Sequence, residues 1–119
     1  MSESIAQTLR RTLGSARFRY TSELELQDGI AELFTARGIA FERERQLGPD
    51  RVDFFIAGIA IEVKIEGSLS DVTRQLHRYS EHPDVTGVVL VTTRARHNAM
   101  PNLMTAKPVD VIHLLGSVF

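Results

Sequence analysis

The stretch RVDFFIAGIAIEVK, residues 51–64, predicts two β-strands that pair as a hairpin. Residues 52–56 and 59–65 are rich in Val, Ile and Phe and are joined through Ala57-Gly58. A two-residue loop, or a four-residue loop on the same centre, places Asp53 directly opposite Glu62. An odd loop, a bulge or a loop centred elsewhere would break that register.

Two carboxylates that face each other across antiparallel strands repel, which destabilises the pairing. Either one of them takes up a proton through a raised pKa, or a cation lies between them. Hard divalent ions such as Mg²⁺ bind one or two carboxylates and keep coordination positions for water and phosphate. Asp53 and Glu62 therefore predict a cation site that a phosphodiester can approach.

Lys64 extends this acidic pair into a candidate site. It lies two residues after Glu62, so both side chains point to the same face of a strand, and the apolar residues beside them face the core. A cluster of Asp, Glu and Lys on apolar strands costs solvation energy, which usually marks a functional site. An ammonium group there can orient or deprotonate a water, or stabilise charge that develops on phosphorus.

Two helices and a strand are predicted before the hairpin. An apolar stripe in residues 3–13 suits an amphipathic helix that packs on the core or on a second subunit. Ser22 and Glu25 form a capping-box signature for the next helix, which ends at Gly38. Residues 39–47 alternate as an edge strand, with charge on both faces and with one face made of Ile39, Phe41, Arg43, Arg45 and Leu47.

After the hairpin, Ser68 or Ser70 caps a helix that runs to about Glu81 and stops before Pro83. Residues 85–93 form an apolar run without alternation, which is typical of a strand covered on both faces. Residues 94–108 are irregular or briefly helical, and 109–115 can form a last strand. The expected fold is α/β (α+β, mixed sheet), with an αβββαβ core over about residues 21–93.

Composition limits the protein class. The chain has 119 residues, which suits one domain, and its 43% hydrophobic and 24% charged residues are typical of a soluble globular protein. It has no cysteine, no apolar run long enough to span a bilayer and no secretory signal. We therefore expect no membrane partner and a cytoplasmic location.

Basic residues are unevenly distributed along the chain. The net charge is −1, so attraction of the whole molecule to a polyanion is not expected. Residues 94–107 nevertheless contain three basic residues and no acid, and residues 1–19 contain four arginines against Glu3. Of the 14 basic residues only Lys64 and Lys107 are lysine, and arginine is the better bidentate ligand for phosphate.

Residues 51–64, followed by a helix that carries Gln75 and Tyr79, resemble the PD-(D/E)XK nuclease superfamily, whose signature is an Asp on one strand and Glu-x-Lys on the next. The resemblance implies a restriction-endonuclease-like fold and Mg²⁺- or Mn²⁺-dependent cleavage of nucleic acid, most naturally DNA. The superfamily includes junction resolvases, VRR-NUC-like repair enzymes and the RecB-type branch, and each of these is a candidate relative. Recognition of branched DNA by shape, through a homodimer, would suit so small a chain.

The resemblance also implies roles for individual residues. Asp53 and Glu62 would be metal ligands, helped by the Val63 backbone carbonyl, with Lys64 as catalytic base or electrostatic helper. Many members add a glutamate from the first helix of the core. Glu23 fits that role because it lies on the apolar face of its helix, whereas Glu25 is explained by capping.

The helix after the hairpin supplies further candidates. Gln75-x-x-x-Tyr79 resembles a motif of the RecB-type branch in which the glutamine approaches metal or phosphate, and the i, i+4 spacing puts both residues on one helix face. Arg74 and Arg78 flank Gln75 and, with Tyr79 and Arg51, are candidate contacts to nucleic acid.

Ordinary structural roles stand beside these hypotheses. Asp53 with Arg51, or Glu62 with Lys64, can form surface ion pairs, and Glu23 can simply stabilise a helix N-terminus. Gln75 and Tyr79 can pack a helix on the sheet. The literal Pro-Asp pair, Pro49-Asp50, is interpreted as a turn before the strand. The alternative function is a catalytically silent module that binds nucleic acid or protein.

Overall fold

The computed structural model describes residues 3–114 and has the predicted α/β class. The order within the predicted core is αβββαβ. The elements are α1 (Ile5–Gly14), α2 (Glu23–Ala36), β1 (Glu42–Leu47), β2 (Asp50–Ile56), β3 (Ile59–Lys64), α3 (Leu69–Ser80), β4 (Gly87–Thr92), a 3₁₀ helix (Ala95–Ala99), β5 (Leu103–Met104) and β6 (Lys107–His113). In residues 3–114 no helix is both long enough and apolar enough to cross a bilayer.

The strands form one mixed sheet in the order β1-β2-β3-β4-β6-β5. Pairing is antiparallel from β1 to β3 and parallel from β3 through β4 to β6. Helices α1 and α2 cover one face, and α3 and the 3₁₀ helix cover the other. All six residues of β4 are buried, as its unbroken apolar sequence predicts.

Helix α1 packs on the core, which decides between the two predicted positions of its apolar stripe. Leu9 and Leu13 are each only 1% exposed and lie in the cluster formed by α2 and the sheet. Ser4 caps the helix through a reciprocal pair of hydrogen bonds with Gln7. In α2, Ser22 accepts a hydrogen bond from the Glu25 amide as predicted, and the Glu25 carboxylate accepts from the Thr21 amide.

The β2–β3 hairpin has a two-residue turn, which is the shorter of the two loops that the sequence allows. Ala57 and Gly58 both have positive φ, at 45° and 90°, which is typical of a type I′ turn. The expected register holds for the three pairs from Ile56 with Ile59 to Phe54 with Ile61. The paired ladder then ends, so the prediction of a direct Asp53–Glu62 strand pair is wrong. The part of the hairpin beyond Phe54 and Ile61 contains Asp53 on β2 and residues 62–64 on β3. We call this part the open end of the hairpin.

An irregularity in β1 and β2 lies at the same level. Glu44 has a left-handed φ of 54°, and neither Glu44 nor Asp53 is paired in an otherwise continuous β1–β2 register. Arg43 and Phe54 lie on the α2 side, whereas Arg45 and Val52 lie on the α3 side. The predicted uniform alternation of residues 39–47 is therefore wrong, because both strands exchange faces at this point.

Some element boundaries also differ from the predictions. Asp50 is the first residue of β2 and pairs with Leu47, so only Gly48 and Pro49 form the turn. The predicted irregular segment 94–108 contains the 3₁₀ helix and β5, and β6 begins at Lys107. The end of the predicted last strand, at residue 115, lies outside the described residues.

Candidate active site

Glu62 is a buried carboxylate at the open end of the hairpin, and it is only 4% exposed. The Lys64 Nζ lies 3.4 Å from its Oε2 atom. From α3, the Tyr79 hydroxyl donates to Oε1 at 3.1 Å and the Gln75 Nε2 donates to Oε2 at 3.0 Å. Both carboxylate oxygens are thus held by named partners, so the interpretation of Glu62 and Lys64 as a solvated surface pair is wrong.

Gln75 and Tyr79 reach Glu62 together because they lie one turn apart on α3. The Gln75 Nε2 also donates to the Tyr79 Oη at 2.7 Å, and the Tyr79 hydroxyl lies 3.3 Å from the Arg51 carbonyl oxygen. Tyr79 is 2% exposed and belongs to the core beneath α3. The two residues therefore pack the helix on the sheet and orient Glu62 at the same time.

Asp53 lies across the open end from Glu62. Its Oδ2 atom accepts a hydrogen bond from the Val63 amide at 2.8 Å. If the ladder had continued, that amide would have paired with the β2 main chain, opposite Val52. The side chain of Asp53 replaces this main-chain acceptor, so the strands can separate without leaving the amide unpaired.

Burial and like charge disfavour the ionised form of both carboxyl groups. Burial, reinforced by Asp53, raises the pKa of Glu62 to about 7, although Lys64 acts in the opposite direction. Burial also raises the pKa of Asp53, with added repulsion from Glu23 and Glu44 and opposition from the Val63 amide. The pKa of Tyr79 is raised by its own burial and by Glu62. The unfavourable acid pair that the sequence predicts is present, although it does not arise from direct strand pairing.

Glu23 approaches the same end of the sheet from the first turn of α2. Its Oε2 accepts a hydrogen bond from the Ile65 amide at 3.3 Å, and its charge contributes to the raised pKa of Asp53. Across residues 3–114 no group of three or more His, Asp or Glu side chains is arranged to hold a metal ion. The oxygen donors that the structure brings together are thus the two carboxylates Asp53 and Glu62, with Glu23 bound to the backbone beside them.

The predicted arginine contacts lie around the site and not within it. Arg74 pairs with Asp71 on the exposed side of α3, and the Arg78 Nε lies 3.2 Å from Asp50 Oδ1. Arg51 is exposed, and the described residues contain no ion pair between it and Asp53. The surface-pair interpretation of Asp53 and Arg51 is therefore wrong.

Two further acidic residues lie near the site: Glu44, for which the sequence predicts no role, and Asp50, which the sequence places in a turn. Glu44 faces Asp53 at the irregularity of β1 and raises the pKa of Asp53. Asp50 binds Arg78 and so ties β2 to α3. The sequence contains no signal for Glu44, because a left-handed residue inside a strand is usually marked by glycine or asparagine. The Pro49-Asp50 pair does draw attention to Asp50, but its assignment to the turn is wrong, because Asp50 is the first residue of β2.

Taken together, the open end offers two carboxylates, one ammonium group and a tyrosine–glutamine pair that fixes one of the carboxylates. Such a set can bind a hard cation and can orient a water next to Lys64. Scans with protein-family models and searches of curated proteins and of solved structures return no match to this chain.

Proposed function

We propose that this protein is a metal-dependent nuclease of the PD-(D/E)XK type, which hydrolyses phosphodiester bonds of nucleic acid. The observation that carries the proposal is the convergence of Asp53, Glu62 and Lys64 at the open end of the hairpin. Glu62 is nearly inaccessible, yet it lies 3.4 Å from the Lys64 ammonium group and close enough to Asp53 to raise its own pKa. Stability alone gives no reason to bury this set, because burying carboxylates costs free energy.

The donor set fits Mg²⁺ or Mn²⁺. Two carboxylates, which repel each other and have only one ammonium group beside them, gain most from a divalent cation. Mg²⁺ is typically held by one or two carboxylates together with substrate phosphate and water, so a third acidic ligand is not required. Asp53 and Glu62 would hold the ion, with the Val63 carbonyl and Glu23 as additional oxygen donors. Bound there, the ion would polarise the phosphoryl oxygen and lower the pKa of a water.

The protein's own residues supply orientation and charge. Lys64 presents an ammonium group that can hold the attacking water and stabilise negative charge on the phosphate. Gln75 and Tyr79 hold the two oxygens of Glu62 in one orientation, which fixes the carboxylate before substrate arrives. Buried side chains of β2, β3 and α3, among them Val52, Val63 and Leu76, exclude bulk water from the core side of the site.

DNA is the proposed substrate, with branched or junction DNA as the first structured form to test. A single domain of this size reaches few bases, so recognition of DNA shape, through a homodimer, suits it better than sequence readout. Arg51, Arg74 and Arg78 are proposed to lie along the nucleic acid around the site. The predicted contact of Tyr79 with nucleic acid is wrong, because its side chain is buried beneath α3.

The proposal is tested with a nicking assay on supercoiled plasmid and on branched DNA, with Mg²⁺, with Mn²⁺ and with EDTA. Lys64→Ala is compared with Lys107→Ala, a matched control because these are the only two lysines of the chain. We expect cation-dependent cleavage by the wild type and by Lys107→Ala. The loss in Lys64→Ala is expected to be on the order of 10²- to 10³-fold.

Equal cleavage by all three proteins would indicate a contaminating nuclease and would contradict the proposal. No cleavage by the wild type with either cation would contradict it too, and would favour the catalytically silent binding module.

A further inference from the structure

Two arginines converge on one carboxylate just beyond the proposed active site. Arg94 Nη2 binds Glu66 Oε1, and Arg96 Nη2 lies 3.6 Å from Glu66 Oε2. We propose that Arg94 and Arg96 bind backbone phosphates of the nucleic acid, and that Glu66 occupies this position in the free protein and must be displaced. The inference rests on the proposed function, because it assigns a binding surface to that substrate.

The strand connections place this arginine pair next to Lys64. The Thr93 amide donates to the Lys64 carbonyl oxygen at 3.2 Å, at the end of the parallel β3–β4 ladder. The Arg94 Nε then donates to the carbonyl oxygen of Ile65, the residue after Lys64, at 2.8 Å. Arg94 therefore lies next to Lys64 at the carboxyl ends of β3 and β4. A nucleic acid strand that binds Lys64 there would contact Arg94 next.

The segment that carries the two arginines is held firmly by a buried histidine. His97 is fully buried, with its Nδ1 at 2.6 Å from Thr92 Oγ1 and its Nε2 at 2.8 Å from the Gly67 carbonyl oxygen. The Arg94 amide donates to the same Thr92 hydroxyl at 3.0 Å. Because the backbone of this segment is already fixed, binding of a phosphate by the arginines needs little further ordering of the backbone.

The chemistry of the cluster favours a phosphate over a permanent ion pair. Two guanidinium forks share one carboxylate, whereas Arg74 and Arg78 each have an acid of their own. The Glu66 side chain is 65% exposed, so its ion pairs are solvated and weak. A phosphodiester presents two oxygens to such forks, as the carboxylate does, and residues 94–107 contain no acid that would repel it.

The experiment measures binding of a fluorescent DNA duplex to the full chain by anisotropy, in EDTA and at several salt concentrations. We expect the double variant Arg94→Ala/Arg96→Ala to bind about tenfold more weakly and to lower the slope of log K against log salt by about 2, since two phosphate contacts are lost. Glu66→Gln is expected to bind about threefold more tightly, because the competing carboxylate is removed.

Glu3→Gln is the matched control. Glu3 binds two nitrogens of Arg11 on α1, and the residues that follow it line a pocket with Ala57 at the opposite end of the strands. This change therefore removes an equal charge from another exposed glutamate–arginine pair. The proposal is overturned if Glu66→Gln binds no more tightly than Glu3→Gln, if the double variant keeps the wild-type slope while its thermal melt is unchanged, or if the wild type does not bind the duplex. Failure of the nuclease proposal would appear separately, as absence of cleavage with Mg²⁺ or Mn²⁺.

Discussion

The two ends of the β2–β3 hairpin contrast in structure although they belong to the same two strands. At the turn end, three residue pairs follow a regular antiparallel register, and Phe54 and Ile61 are fully buried. At the open end the ladder stops, a side chain replaces a main-chain acceptor and two acidic groups lie close together. Burial of apolar surface at the turn end stabilises the folded state, whereas burial of carboxylates at the open end destabilises it.

This difference shows how a small sheet can hold an unfavourable cluster. The apolar half fixes the position of both strands, and beyond it the Val63 amide binds the Asp53 side chain in place of a main-chain acceptor. The favourable packing at the turn end offsets the cost of the buried carboxylates at the open end, which is a common arrangement at functional sites. Substitutions at one end of the hairpin should therefore differ in kind from substitutions at the other.

Phe54→Ala is expected to have the largest effect on stability. The ring is fully buried and packs edge-on against Phe34 and Phe41, with centroids 5.5 and 5.6 Å away. Its removal leaves a cavity and should lower the free energy of unfolding by about 3 to 5 kcal/mol. Urea denaturation measures this change. A loss below about 1 kcal/mol would mean that the turn end does not supply the stability assigned to it.

Glu62 is expected to make stability fall as pH rises, which is the opposite of most carboxylates. Its pKa is raised from 4.5 to about 7 in the folded state, so the folded protein holds a proton that the unfolded chain releases. The stabilisation is complete below about pH 4.5 and is lost as the pH passes about 7. Between these two limits the free energy of unfolding is expected to fall by about 3 kcal/mol.

This prediction is measured by denaturation in EDTA between pH 5 and pH 8. Glu62→Gln cannot titrate at this position, so its stability should change much less over the range than that of the wild type. Parallel pH profiles of the two proteins would contradict the account of the open end.

Ala57→Asn is expected to have the smallest effect, and it acts at the turn end. Ala57 has a φ of 45°, a left-handed conformation that asparagine tolerates better than alanine, and Asn-Gly is the preferred type I′ turn. Thermal unfolding should show a gain of about 0.5 to 1 kcal/mol, with the pH profile unchanged. A loss of stability would mean that the turn is of another type.

Much of the fold could be predicted from local signals in the sequence. The turn at Ala57-Gly58, the cap at Ser22 and the apolar run that became β4 each depend on neighbouring residues. The exchange of faces at Glu44 could not be predicted, because it depends on how two strands accommodate charge against two separate cores. Strict alternation is a property of an isolated regular strand, and it failed where the sheet stops being regular.

The candidate site was predictable in its residue types more than in its geometry. The spacing of Glu62 and Lys64, and of Gln75 and Tyr79, brings each pair to one face, and the structure joins the two pairs on the Glu62 carboxylate. The sequence does not reveal that Asp53 binds the Val63 amide, since this contact needs the ladder to end early. The convergence of Arg94 and Arg96 on Glu66 likewise depends on how β3 and β4 end.

The open end of the hairpin is a metal site only if Asp53 and Glu62 share a divalent cation. Calorimetric titration of the metal-free protein with Mn²⁺ tests this in the wild type, in Asp53→Asn and in Glu62→Gln, with Asp71→Asn as the control for an exposed carboxylate. The predicted result is a single ion per chain in the wild type and in the control, with affinity reduced at least about tenfold in both site variants. Wild-type affinity in Asp53→Asn and Glu62→Gln would contradict it.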